Sequence, residues 1–280
     1  MNAQSLRDFP GAGLGPDDLV AGIVELSSPP EIYTRVTQIL DEPSSTSADV
    51  ARVIEKDPAL TARLLKIINS AFYRAPSEIE TVSRAITMIG TRELRSMVFA
   101  TSVLEMFHGI PNDLVSMHSF WEDSLRCAVI SQVLASQHHD ENEVEPIFVA
   151  GLLHEIGHLV IYHKLPELSR EALLRHIHGG IDLHIAERET LGFDYAAVGA
   201  ALMRLWRLPL LLEQVVEFHM APEKASDFPL ETAIVHLAKK ISILKTFEES
   251  EIVYQIPVNS SPWKSAGIRG DTLVETLRLA

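Results

Sequence analysis

Apolar residues recur with a helical period along most of this chain, and glycine, proline and capping residues cut that period into segments. In "DPALTARLLKIINSAFY", Asp57 is placed to cap and Pro58 to open a helix, while Leu60, Leu64, Ile67 and Ile68 fall at i, i+4, i+7 and i+8. "TVSRAITMIG" ends on Gly90, a natural left-handed terminator. "TRELRSMVFATSVLEMF" then starts at once, with Leu94, Met97, Val98 and Thr101 on one face. Two helices are therefore expected to meet at a tight corner. "HGIPNDL" breaks the pattern before a helix through "HSFWEDSLRCAVISQVLASQ". Pro166, Gly179-Gly180 and Gly192 then punctuate further helices, and Asp194 is placed to cap "DYAAVGAALMRLW", where Val198, Ala201, Leu202 and Leu205 repeat the apolar face. Only "EIVYQIPV" alternates like a strand, and it is too short and isolated to imply a sheet. The expected fold class is all-α.

The 280 residues are enough for one large domain or two small ones with a sizeable core. A formal charge of -14, with Lys and Arg scattered singly, leaves no basic patch for phosphates, so nucleic acid is not an expected partner. Cys127, the single cysteine, excludes an intrachain disulfide and reads as a buried structural thiol in a reducing cytoplasm. The N-terminus lacks a signal-peptide core, and no apolar run is read as reaching the ~20 residues that span a bilayer, so no membrane partner is expected.

The stretch "GLLHEIGHLV" satisfies H-E-x-x-H through His154, Glu155 and His158, the zinc-peptidase pattern. On one continuous helix the two histidines would share a face and a tetrahedral metal. The compact form of that motif places Gly and His three and six residues after the second histidine, whereas this chain has Ile161 and Lys164 there. Glu171 and Glu187 are candidate later ligands that nothing in the sequence selects. A metallopeptidase is thus the weakest of the functional readings.

Read with its flanks, the same stretch resembles the "GLLHDIGKL" segment of the HD superfamily of metal-dependent phosphohydrolases, with Glu155 in place of aspartate and His158 in place of lysine. A more specific resemblance lies upstream. Asp57-Pro58-Ala59-Leu60, Asn69-Ser70-Ala71, Tyr73, Ile79, Ala85-Ile86 and Gly90 are similar to the N-terminal half of the HDOD domain, a bacterial signalling output module related to that superfamily. The similarity continues through "SFWEDSLRCA", "VAGLLHEIGHLV", "DYAAVGAALMRLWRLP" and "AIVHLAKKI". It implies an N-terminal extension at 1–19 and an HDOD domain at 20–245, comprising a helical part at 20–112 and an HD-like bundle at 113–245, followed by a tail at 246–280.

The resemblance also implies where a metal site would lie. The superfamily's early histidine falls at Asp123, its His-Asp pair at His154-Glu155, and its late aspartate at Lys239. An ammonium at the last position removes a ligand and repels a cation by ~4 kcal/mol per unit-charge pair at ~4 Å with an effective dielectric of ~20. Tyr195 stands where related sequences commonly carry histidine, and the "GYP" signature of cyclic-dinucleotide phosphodiesterases is missing. The expectation is a non-catalytic regulatory module acting through signalling proteins, with no cofactor and a homo-oligomer compatible with the reading. In the alternative, a phosphohydrolase acting on a nucleotide or phosphate ester, Asp123, His154 and Glu155 hold a divalent metal. A third version makes His158, Tyr195, His219 and Lys239 line a pocket, with Lys239 and His158 meeting an anion. Otherwise His154 and Glu155 form a buried polar pocket mid-helix. His158, His163, His178, His184 and His236 read as surface or boundary residues, His219 as a cap or pocket residue, and Trp121 and Trp206 as packing.

Overall fold

Residue 90 must turn the chain through a backbone region that L side chains avoid. In the computed structural model, which describes residues 15–21, 30–69, 78–107, 110–111, 114–138 and 141–243, Gly90 has φ 84° and ψ 165°. It splits one long helical run, α5 (Val82–Glu105), into two arms. Before it come α1 (Pro16–Ala21), α2 (Glu31–Asp41), α3 (Ser47–Ile54) and α4 (Pro58–Ile68). Helix α4 starts as its sequence dictates, with Asp57 accepting from the Leu60 amide at 3.0 Å. Leu60, Leu64, Ile67 and Ile68 are all buried. Helices α2, α3 and α4 each pack on α5. Asn69 closes this half by donating to the Ile79 carbonyl at 2.8 Å and accepting from its amide at 2.7 Å. One amide side chain thereby satisfies both backbone groups of a single distant residue.

The second half runs α6 (Met117–Ala135), α7 (Glu141–Leu153), α8 (Ile156–Lys164), α9 (Pro166–Gly179), α10 (Leu183–Leu191), α11 (Tyr195–Leu205), α12 (Leu210–Phe218), a 3-10 turn (Pro222–Lys224) and α13 (Pro229–Ser242). Helix α6 packs against both α7 and α13, and α11 is enclosed by α1, α8 and α12. Pro166 opens α9, Gly180 and Gly192 end α9 and α10 with positive φ, and Asp194 caps α11 through the Ala197 amide at 2.9 Å. Every regular element among the described residues is helical, as expected. The strand-like "EIVYQIPV" lies outside the described residues.

A single buried apolar cluster runs from Leu19 to Ile241 across both halves. Gln132 donates to Glu93 at 3.2 Å across the α5–α6 contact, and Ser96 hydrogen-bonds Glu145 on α7. The expectation about apolar runs needs correction. Val144–Lys164 is long and apolar enough to cross a membrane by length and composition. Its most apolar window is 83% buried within the bundle, and the run is interrupted between α7 and α8.

Candidate functional site

That interruption builds the site. The chain leaves α7 after Leu153, turns through His154 and Glu155, and re-enters helix at Ile156. The expectation of one continuous helix carrying His154 and His158 on a shared face is therefore wrong. Apolar periodicity persists through the turn, so the local sequence hides it. Just beyond it stands Gly157, where a β-carbon would run into the Tyr195 carbonyl and the Gly199 amide. Helices α8 and α11 meet backbone against backbone at this point, which requires a residue without a β-carbon at position 157.

At the corner, His154 is buried and donates from Nδ1 to the Gly151 carbonyl at 2.7 Å. Its Nε2 therefore carries the lone pair, 3.8 Å from Glu155 Oε1. Burial holds the imidazole pKa down at about 4, so this histidine is neutral at physiological pH. Glu155 points to α13, where the Lys239 ammonium forms an ion pair and hydrogen bond with its Oε1. Burial is the strongest single influence and pushes the Glu155 carboxyl upward, but the adjacent ammonium, its hydrogen bond and the neighbouring polar groups together outweigh it and leave the pKa well below the usual range. The same carboxylate raises the Lys239 pKa against the opposing effect of burial. Asp123 lies on the exposed side of α6, its pKa raised by partial burial and by the charge of Glu155.

Tyr195 joins this pair to the remaining polar residues. Lys239 Nζ lies 5.1 Å from the Tyr195 ring centroid. His158 stacks on the other side of the network, with centroids 3.8 Å apart from Tyr195 and 5.4 Å from Tyr162. The Tyr195 hydroxyl donates to His219 Nε2 at 2.9 Å, and His219 Nδ1–H donates to the Val216 carbonyl at 2.7 Å. Burial keeps His219 neutral, and the ring meets His154 edge-on at 5.3 Å. His236, partly buried, reaches the His219 carbonyl through Nδ1 at 2.6 Å.

Under the stack, Glu187 on α10 is buried, accepts from the Tyr195 amide at 2.9 Å, and lies 2.9 Å from His158 Nδ1 without hydrogen-bond alignment. His158 is thus a buried residue and not a boundary one. The four pocket candidates His158, Tyr195, His219 and Lys239 do converge. Glu187 was visible in the sequence only as a loose peptidase ligand, and its partners reach it through tertiary contact. Among the described residues, no three His, Cys, Asp or Glu side chains form a group able to hold a metal ion.

A sequence profile of the HDOD domain matches residues 26–222. The chain belongs to the HDOD family. Its fold is shared with an HDOD domain protein of unknown function from Geobacter sulfurreducens, at TM-score 0.75 and 22% identity over 94% of this chain and 92% of that one. A provisionally assigned phosphohydrolase from Shewanella amazonensis SB2B superposes at TM-score 0.69 with 25% identity, covering 94% of this HDOD chain and 98% of its own. An uncharacterized Treponema pallidum protein is 23% identical over 190 residues, or 68% of this chain. The aligned segment is 36% of that relative's length, so the chain spans little more than a third of it.

Proposed function

We propose that this HDOD domain is a non-catalytic signal-transduction module that acts through protein contacts, with an internal ion pair at the position corresponding to the superfamily's metal. The observation that carries the reading is the Lys239 ammonium seated on Glu155. The residues do not suit a divalent cation. Its nearest anionic oxygen already serves a fixed positive charge, a glutamate replaces the shorter carboxylate, and the early imidazole is replaced by Asp123. The pair ties the α7–α8 corner to α13, so the pocket contributes to the bundle's architecture.

One observation favours the alternative phosphohydrolase. His154 retains the tautomer of a ligating imidazole, with Nδ1–H held by a carbonyl and Nε2 carrying the lone pair. Metal analysis of protein prepared without chelators separates the readings. Substoichiometric zinc, iron and manganese, together with no metal-dependent turnover of cyclic nucleotides or phosphate monoesters, is the expected result. A full equivalent of one metal, lost in His154→Ala, overturns the proposal.

A further inference from the structure

A concavity is lined by the residues that directly precede Tyr195 and His219 in the chain. It is a cleft of about 400 Å³ between the α10–α11 turn, the end of α12, the 3-10 turn and the start of α1. That volume falls within the range of small-molecule sites, ~300–1,000 Å³. Phe193, Phe218 and Met220 supply broad apolar wall, and Ala197 leaves space because its side chain ends at the β-carbon.

The charges around the cleft are unequally committed. Asp194 is buried, caps α11 with one oxygen and meets the Arg188 guanidinium with the other. Glu217 Oε2 faces Arg204 at 3.7 Å. Arg188 has about half its side-chain surface exposed and meets Asp194 Oδ2 as an ion pair without hydrogen-bond alignment, which leaves N–H donors of the guanidinium for other acceptors. Lys224 is exposed at the 3-10 turn and makes no ion pair among the described residues. Both lining carboxylates thus have cationic partners, while the two lining cations retain unused capacity beside an apolar wall.

We infer that this cleft is a binding site for a small organic anion, a carboxylate or phosphate monoester on a compact apolar body, with the anionic end at Lys224 and Arg188 and the body against Phe193, Phe218 and Met220. Two of its wall residues, Asp194 and Phe218, immediately precede Tyr195 and His219 in the chain. The cleft thus shares the α10–α11 turn and the end of α12 with the buried polar pocket around Tyr195. The inference does not depend on whether that pocket holds a metal.

Calorimetric titration of the full chain with a near-isosteric series tests it: indole-3-acetate, indole-3-acetamide and tryptamine, plus phenyl phosphate as a second anion. Saturable one-to-one binding of the anions is expected, at least ten-fold tighter than binding of the amide or the amine. Lys224→Glu should remove the preference for anions, and Ala197→Leu should weaken binding of the whole series at least ten-fold by filling the cleft. Lys224 lies on the surface, so that variant remains informative even if Ala197→Leu fails to fold. The inference is overturned if neither anion saturates, if tryptamine binds as tightly as indole-3-acetate, or if Lys224→Glu leaves the preference intact.

Discussion

Replacing Lys239 with methionine tests the ion pair directly, because methionine keeps the aliphatic stem and the helix propensity of α13 while deleting the charge. Two unit charges ~4 Å apart at an effective dielectric of ~20 attract by ~4 kcal/mol. The Glu155 and Lys239 side chains are 21% and 19% exposed, so screening and desolvation offset part of that attraction. A net coupling of about 2–3 kcal/mol is expected from a double-mutant cycle of Lys239→Met, Glu155→Gln and the double variant, read by urea unfolding at pH 7.5.

The pH dependence has a defined sign. In the wild type the Glu155 pKa is depressed. Its contribution is present above the unfolded value of ~4.3 and is lost only as acid titrates the folded state below that. In Lys239→Met, burial is no longer offset by the ammonium and raises the Glu155 pKa, so the buried charge destabilises the variant at neutral pH and the penalty fades as pH falls toward ~4.3. The gap between the two proteins should be largest near pH 7.5 and smaller at pH 5. A coupling below ~0.5 kcal/mol, or a gap of equal size at both pH values, would refute the assignment of this pair as a structural tie.

Three further outcomes follow from the same packing. Glu187→Ala should cost about 1–3 kcal/mol in urea unfolding by orphaning the Tyr195 amide. Glu187→Gln, which keeps an acceptor for that amide, should cost distinctly less, and equal losses would contradict the hydrogen-bonding role. Gly157→Ala should lower the thermal midpoint through a loss of at least ~2 kcal/mol, since backbone on α11 has to move; an unchanged melt would rule out the close approach. Burial pushes the Cys127 thiol up to about 12, so it should ignore an aromatic disulfide reagent in the native state at pH 8 and react once unfolded in urea. Rapid labelling of native protein would contradict its burial.

Much of the helical layout was legible because it is enforced locally. Gly90 announces its corner by lacking a side chain, and Asp57 and Asp194 announce helix starts by their spacing to the amides they cap. His158, Tyr195, His219 and Lys239 were singled out through family resemblance, which carries positions and not partners, and the structure gathers them around the Tyr195 side chain. The corner at His154 and Glu155 was not legible, because "GLLHEIGHLV" stays apolar through the break, and the approach of Gly157 to the Tyr195 carbonyl beside it is a tertiary contact. Glu187 stayed ambiguous for a related reason: it is one of many glutamates in sequence, and only folding places it on the α11 amide and beside His158. The α1 anchor was equally hidden. It depends on Leu19 and Val20 being buried and on Asp17 meeting Arg204 at 3.1 Å.

The glycine contact between α8 and α11 has a mechanical consequence. Where helices touch through side chains, rotamer changes act as a compliant layer that absorbs small displacements. At Gly157 that layer is missing, and a shift of the α7–α8 corner meets the α11 backbone directly. Tyr195 opens α11, and its hydroxyl is bonded to His219 at the end of α12. Motion applied at one helix is therefore delivered to the next with little slack, which makes this junction a stiff coupling from α8 through α11 to the end of α12.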